Sequence, residues 1–259
     1  MLKLQFFDKK GGMRMDENNF LLMENKNFAG HVILEHEHKL LVDYPEVKLA
    51  PTTHIYNGHA LIESKISIMR DIETPSSVFR KLVEEVTKLM AFDAFSHLKM
   101  ESREVITPIC KTIGKQISGK KQVLVPILRA GLAMEQPMKD IVPQARTGFC
   151  GVYRDEKTLK PQKYFWKMPK DIENREVFVL DPMLATGGSA DFTVSELKNI
   201  GCKTIHFMGI IGAPQGIDLM QKKHPDVELF IAHLDKGLNS NGYIVPGLGD
   251  AGDRIFGTK

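Results

Sequence analysis

Asp181 ends an apolar run, Val177 to Leu180, and the small polar tetrapeptide Thr186-Gly187-Gly188-Ser189 follows within the next eight positions. A short apolar run of this kind reads as a buried strand. Beyond the tetrapeptide, Phe192, Val194, Leu197 and Ile200 recur at helical spacing up to Gly201, a natural helix stop. A strand that passes through glycines into a helix presents unpaired N–H groups at the helix start, where the dipole also favours an anion. Thr186 and Ser189 add hydroxyl donors, and Gly187 and Gly188 let the backbone approach a phosphate closely. The tetrapeptide taken alone serves equally well as a capped helix start. Asp181 tips the reading, because its carboxylate repels phosphate yet can accept hydrogen bonds from sugar hydroxyls. Together these residues suit a sugar phosphate. Neither GxxxxGK[ST] nor GxGxxG spacing is present, so two common nucleotide-binding loops drop out.

Three other segments carry residues with the same leaning. Val125 to Leu132, VPILRAGL, ends an apolar run on Arg129, whose guanidinium offers fixed donors for phosphate oxygens. Gly151 to Asp155, GVYRD, brings Arg154, a weak signal by itself since a lone loop arginine is usually solvated. Asn241 to Lys259 is glycine-rich and would pass for a flexible tail. Tyr243, Ile244, Val245, Leu248, Ile255 and Phe256 contradict that, and the glycines then serve to bring backbone close to a ligand.

The elements that must hold these residues alternate. Thr74 and Pro75 predict a helix cap and first turn, followed by Phe79, Leu82, Val83, Val86, Leu89 and Met90 on one face. Gln122–Leu128, Val177–Leu180, Ile205–Ile211 and Val227–Ala232 predict strands, with a short helix between Pro214-Gln215-Gly216 and Pro225. This βαβαβ rhythm predicts an α/β fold with a parallel sheet and helices on its faces.

Composition narrows the classes. Of 259 residues 42% are apolar and 26% charged, which is ordinary globular chemistry and enough for a sizeable core. A net charge of +3 spread along the chain gives no footprint for nucleic acid, and no apolar stretch is long enough for a membrane span. Cys110, Cys150 and Cys202 are scattered without CxxC spacing, so neither a disulfide framework nor a cysteine zinc site is expected. With no signal-peptide pattern at the N-terminus, a cytosolic protein is expected. His31, Glu35, His36, Glu37 and His38 lack HExxH spacing and read as exposed polar residues.

The strand, acidic residue and small-residue loop together resemble the PRPP-binding motif (PRPP, 5-phosphoribosyl-1-diphosphate) of type I phosphoribosyltransferases. Here Pro182 stands at the second acidic position. That departure is similar to the uracil phosphoribosyltransferases, which carry DPMLATGGS where this chain has Asp181 to Ser189. Their pyrophosphate loop resembles the Arg129 segment, their arm arginine matches Arg154, and their uracil-binding segment resembles the C-terminal stretch almost residue for residue.

The resemblance implies a parallel sheet flanked by helices, with a projecting β-arm and a C-terminal base-binding hood. It divides the chain into an N-terminal extension, residues 1–53, and a catalytic domain, residues 54–259. PRPP would meet Arg129, Arg154, Asp181, Pro182, Met183, Leu184, Ala185, Thr186, Gly187, Gly188, Ser189 and Asp250. Uracil would meet Ile244, Gly249, Asp250 and Ala251, and Asp250 and Arg129 would be the catalytic pair. The resemblance further implies Mg²⁺ bound mainly through the diphosphate, with no side-chain metal ligand assigned. It also implies a homo-oligomer, dimer or tetramer, and admits GTP as an activator. The expected reaction joins uracil to PRPP, giving UMP and pyrophosphate. Two alternatives stay open: another acceptor base, since the PRPP loop does not select one, and an RNA-binding regulator on the same fold.

Overall fold

A computed structural model describes residues 47–154 and 161–258. The histidine-rich stretch at residues 31–38 lies outside the described residues. The chain enters through β1 (Thr53–Ile55), α1 (Ala60–Arg70) and α2 (Ser76–Ala94). A hairpin of β2 (Met100–Ile106) and β3 (Lys111–Ile117) precedes β4 (Val123–Leu128) and α3 (Leu132–Ile141). Next come β5 (Arg146–Thr147), β6 (Phe149–Arg154), β7 (Pro161–Lys167), β8 (Glu176–Leu180) and β9 (Met183–Leu184). α4 (Gly188–Asn199), β10 (Thr204–Gly212), α5 (Pro214–Lys223) and β11 (Glu228–Leu234) continue the alternation. β12 (Gly237–Leu238), β13 (Ile244–Val245) and α6 (Ala251–Phe256) close the chain.

The main sheet runs β1-β11-β10-β8-β4-β6-β7, with β5 beside β4 and β9 beside β10. Every pairing in it is parallel except the β6–β7 ribbon at one edge. The central strands are mostly apolar because both faces are covered, with Glu176 and Thr204 at strand starts and His206 the buried polar exception on β10. On β8, Phe178 and Leu180 face a core shared with Phe79, Val83 and Val86 of α2 and Met134 and Met138 of α3. Val177 and Val179 face a second core built with Val194 and Leu197 of α4 and Ile217 and Met220 of α5. The strand's period of two thus sorts its residues between two helical layers.

This sorting also creates the site. β4 and β8 are neighbours, yet the chain leaves β4 into α3 on one face and leaves β8 into α4 on the other. The two connections diverge at the strands' carboxyl ends and open a crevice there, the place where α/β sheets take ligands.

Two details differ from the sequence reading. α2 begins at Ser76 with Pro75 in the extended cap position and no side-chain cap, one residue later than Thr74 and Pro75 suggest. The Thr74 hydroxyl instead donates to the Ile68 carbonyl (2.6 Å), closing the end of α1. The β2–β3 hairpin, whose strands the residue pattern does not mark, forms a separate two-stranded sheet, with Ile106 at its end and Ile109 in its turn strongly exposed.

The chain is already tied to the domain before β1. The Ala50 N–H and the Thr53 hydroxyl both donate to the Gln221 side chain, at 2.6 and 3.0 Å. Val47 packs on the second core.

Candidate active site

The crevice between β4 and β8 is a cleft of about 270 Å³ lined by Ala130, Asp181, Met183, Ala185, the Gly242–Ile244 stretch and the Gly249–Gly252 stretch. Three sequence-distant segments therefore meet in it: the end of β4, the end of β8 and the C-terminal loop.

Asp181 follows β8 directly, and its carboxylate accepts a hydrogen bond from the Met183 N–H (3.3 Å). Burial pushes its pKa up to about 7, and the charge of Asp250 across the cleft adds to the rise while the Met183 N–H opposes it. An ionisable carboxyl held near neutrality and facing a cleft is characteristic of a working site.

The loop after Asp181 then divides. Met183 and Ala185 face the cleft. Pro182 and Leu184 do not: Pro182 is buried with its carbonyl bonded to Ile210 and Ile211, and the Leu184 side chain sits in the second core. Their carbonyls fix the loop to β10 and the residue that follows it, and the strand-like step turns the Leu184 side chain inward, so any contact of these two residues with PRPP would be through the main chain.

Gly187 starts α4 in the left-handed region at φ 82°, and α4 has no side-chain cap. A Cβ on Gly187 would meet only the movable end of Leu219 at 2.9 Å, so it is the conformation that selects glycine. The Gly188 N–H makes a long bond to the Thr186 hydroxyl (3.5 Å), and the next N–H groups of the first turn are left to an outside acceptor, with Thr186 exposed at the rim.

Across the crevice, Gly131 packs the turn after β4 so closely that a Cβ would fall 2.1 Å from the Leu180 carbonyl oxygen. Arg129 and Ala130, just before it, lie beside the cleft against Gly252. Arg129 is exposed and its Nη2 lies 3.4 Å from the carboxylate of Asp253 on α6. The Arg154 side chain, expected on a projecting arm, lies outside the described residues; its backbone, at the end of β6, pairs with Pro161 of β7.

The C-terminal loop is held from behind by groups that no sequence motif announces. Asp235, just after β11, accepts two bonds from Arg70 (2.9 and 2.6 Å) and one from the Gly247 N–H (2.9 Å). Arg70 donates in turn to the Gly247 carbonyl at 2.7 Å. Burial alone would raise the Asp235 pKa, but His233 and Arg70 outweigh it and hold the carboxyl below its ordinary value. His233 bridges Asp235 and Glu63, and the hydrogen bond to Asp235 raises its own pKa despite partial burial.

Arg254 secures the other side of the loop, donating to the carbonyls of Met69, Asp71 and Leu248 and resting over the Phe79 ring. Asp250 begins α6, its Oδ1 accepting the Asp253 N–H at 2.9 Å. This leaves Ile244 buried, Ala251 buried, and Gly249 and Asp250 exposed along the cleft wall. Tyr243, which the sequence suggests is only an apolar anchor, lines the cleft as well.

The sequence profile of the uracil phosphoribosyltransferase family matches residues 56–258, most of the chain. The chain belongs to the uracil phosphoribosyltransferase family. It is 54% identical over 201 residues to a uracil phosphoribosyltransferase of Finegoldia magna, covering 78% of this chain and 96% of that one. The corresponding enzyme of Streptococcus pneumoniae is 52% identical over 202 residues, covering 78% and 97%. Among solved structures, the AQ2163 protein of Aquifex aeolicus superposes with a TM-score of 0.72 at 36% identity, covering 78% of this chain and 97% of that one. The mostly parallel, two-faced sheet is accordingly the type I phosphoribosyltransferase fold.

Proposed function

We propose that this cleft transfers a phosphoribosyl group from PRPP to uracil, the family activity, with the residue roles that follow. The single observation that carries the assignment is the meeting of the Asp181 strand end and the Tyr243–Gly252 segment in one cleft. A donor-sugar site and a backbone-lined base site must adjoin for one atom to pass between them.

In this reading the 5-phosphate rests on the uncapped start of α4 with the Thr186 and Ser189 hydroxyls. Asp181 accepts hydrogen bonds from the ribose hydroxyls. Uracil lies against Ile244, Gly249 and Ala251, whose main-chain groups match its alternating carbonyl and N–H edge. The bond from C1 of ribose to pyrophosphate breaks as uracil N1 bonds to C1, and the N1 proton departs. Positive charge develops on the sugar, as in other glycosyl transfers, while negative charge grows on the leaving group. Arg129 and Arg154 would offset the latter. Asp250 orients the bound base and ribose.

The cleft fits Mg²⁺ held mainly through substrate. Asp181 is poised near neutrality, and Asp250 and Asp253 are engaged at the start of α6, so the protein offers few carboxylates of its own. Mg²⁺ characteristically takes few carboxylates plus substrate phosphates and waters, and it would neutralise diphosphate charge.

The decisive assay incubates the purified chain with PRPP, Mg²⁺ and, in parallel, uracil, hypoxanthine, guanine, xanthine and orotate. UMP from uracil alone is the expected product. Nucleotide from a purine or from orotate would replace the base assignment and leave the PRPP site standing. Arg129→Ala and Asp250→Ala should each lower kcat/KM at least tenfold, about 1.4 kcal/mol, with unchanged circular dichroism. Near-parental kinetics in either would remove that residue from the mechanism.

The exposed isoleucines of the β2–β3 hairpin support assembly with further copies of the chain. Paired Ile106→Lys and Ile113→Lys substitutions should lower the mass seen by sedimentation. GTP, implied as an activator by the family resemblance, is tested by adding it to the same assay. Residues 54–259 would form the catalytic unit, with the preceding segment an extension.

A further inference from the structure

A group of side chains that the reaction does not use gathers near the far end of α2. His54 is the middle residue of β1, Asp93 lies in the last turn of α2, and His97 ends the short 3-10 turn that follows. One potential ligand atom from each lies within 4.8 Å of the other two. No spacing motif announces them, because they belong to three separate elements.

The imidazoles are already oriented. His54 stacks on Phe230 at 4.7 Å with planes 8° apart, and His97 meets the same ring edge-on at 5.7 Å. Phe230 is fully buried, so both histidines rest on a rigid support. The centroids of His54 and His97 are 5.3 Å apart. Two imidazoles bound tetrahedrally to one zinc ion at ~2.0–2.1 Å would place their centroids roughly 5 Å apart. Asp93 is held as well, since the Tyr56 hydroxyl donates to its Oδ2 at 2.7 Å. Such an outer hydrogen bond is how proteins orient a ligating carboxylate, and the second oxygen remains able to bind.

We propose that His54, Asp93 and His97 bind a divalent transition-metal ion of the zinc type. Two nitrogens and one carboxylate oxygen suit such an ion rather than Mg²⁺ or Ca²⁺, which take oxygen ligands. Three protein ligands leave a fourth position for water, on the side where His97 is exposed. The site is separate from the catalytic cleft. The start of α2 meets α6 through Arg80 and the Ile255 carbonyl (2.8 Å), and Asp93 lies roughly 20 Å further along the helix. A bound ion would staple β1, at the edge of the sheet, to α2.

The test uses the full chain, stripped with chelator, dialysed and titrated with Co²⁺ and then Zn²⁺. One equivalent of Co²⁺ should give the intense visible band of a tetrahedral site, Zn²⁺ should displace it, and Zn²⁺ should raise Tm. His54→Phe keeps a ring on Phe230 but loses a ligand, and Asp93→Asn and His97→Ala remove the others. Each should weaken Co²⁺ binding at least tenfold while UMP formation by the stripped protein stays unchanged. His36→Ala with His38→Ala, in the N-terminal segment, should leave the band intact. No band in the parent chain, a band that survives all three ligand variants, or one that vanishes with His36 and His38 would overturn the proposal.

Discussion

Asp181→Asn is expected to make the ligand-free protein more heat-stable at pH 8 and at the same time to cut kcat/KM for PRPP at least a hundredfold. Both effects have one origin. Burial lifts the Asp181 carboxyl to about 7 in the folded protein, above its ordinary value of 3.8. The folded state therefore holds this proton more tightly than the unfolded chain does, and stability contributed by the group declines as pH rises from about 4 to about 7. Above that range the ionised carboxylate is a standing cost that asparagine removes. Ribose hydroxyls would offset the cost by donating to the carboxylate, and each hydrogen bond to a charged group is worth about 1.5–3 kcal/mol. Two such bonds account for a hundredfold loss or more. PRPP binding should also release a proton near pH 7 in the parent protein and release less in the variant. Calorimetry in two buffers of different ionisation enthalpy measures that difference. Equal proton release in both proteins, or a variant that is less stable at pH 8, would remove Asp181 from the sugar site.

Asp235→Ala should produce the largest loss of stability. Asp235 is essentially inaccessible, and its removal strands the Arg70 guanidinium and the Gly247 N–H together. Breaking a buried ion pair from one side costs about 3–5 kcal/mol. Arg70 keeps some access to water, which favours the lower end. At about 2–4 °C per kcal/mol for a domain of this size, Tm should fall by roughly 6–12 °C. Because Gly247 leads into Gly249 and Asp250, KM for uracil should rise more than KM for PRPP. Asp235→Asn, which keeps the shape, should fall between the two proteins. A Tm equal to the parent's would mean that the loop is anchored elsewhere.

Legibility in the sequence followed the range of the interaction. Asp181 and the Thr186–Ser189 turn could be read directly because strand end, loop and helix start are contiguous, and the helical periodicity of α2 likewise reports a local geometry. The apolar residues among the C-terminal glycines were enough to reject a free tail. Asp235 and Arg70 gave no signal, since each alone is an unremarkable charge and their meaning arises from a contact spanning 165 positions. Which loop side chains turn inward could not be read either, because the pleat of β9 decides it, sending Leu184 into the second core and Met183 to the cleft. The β2–β3 hairpin, with mostly exposed residues on both strands, lacks the buried alternation by which strands are recognised.

Each central strand of the main sheet is a party wall, giving alternate side chains to the layers above and below. Neither layer can loosen without stripping the other, so both should melt together in a single heat-absorption peak. The hairpin carrying Ile106 and Ile109 shares that wall with neither layer, so substitutions on its exposed face should leave the packing of the catalytic frame untouched.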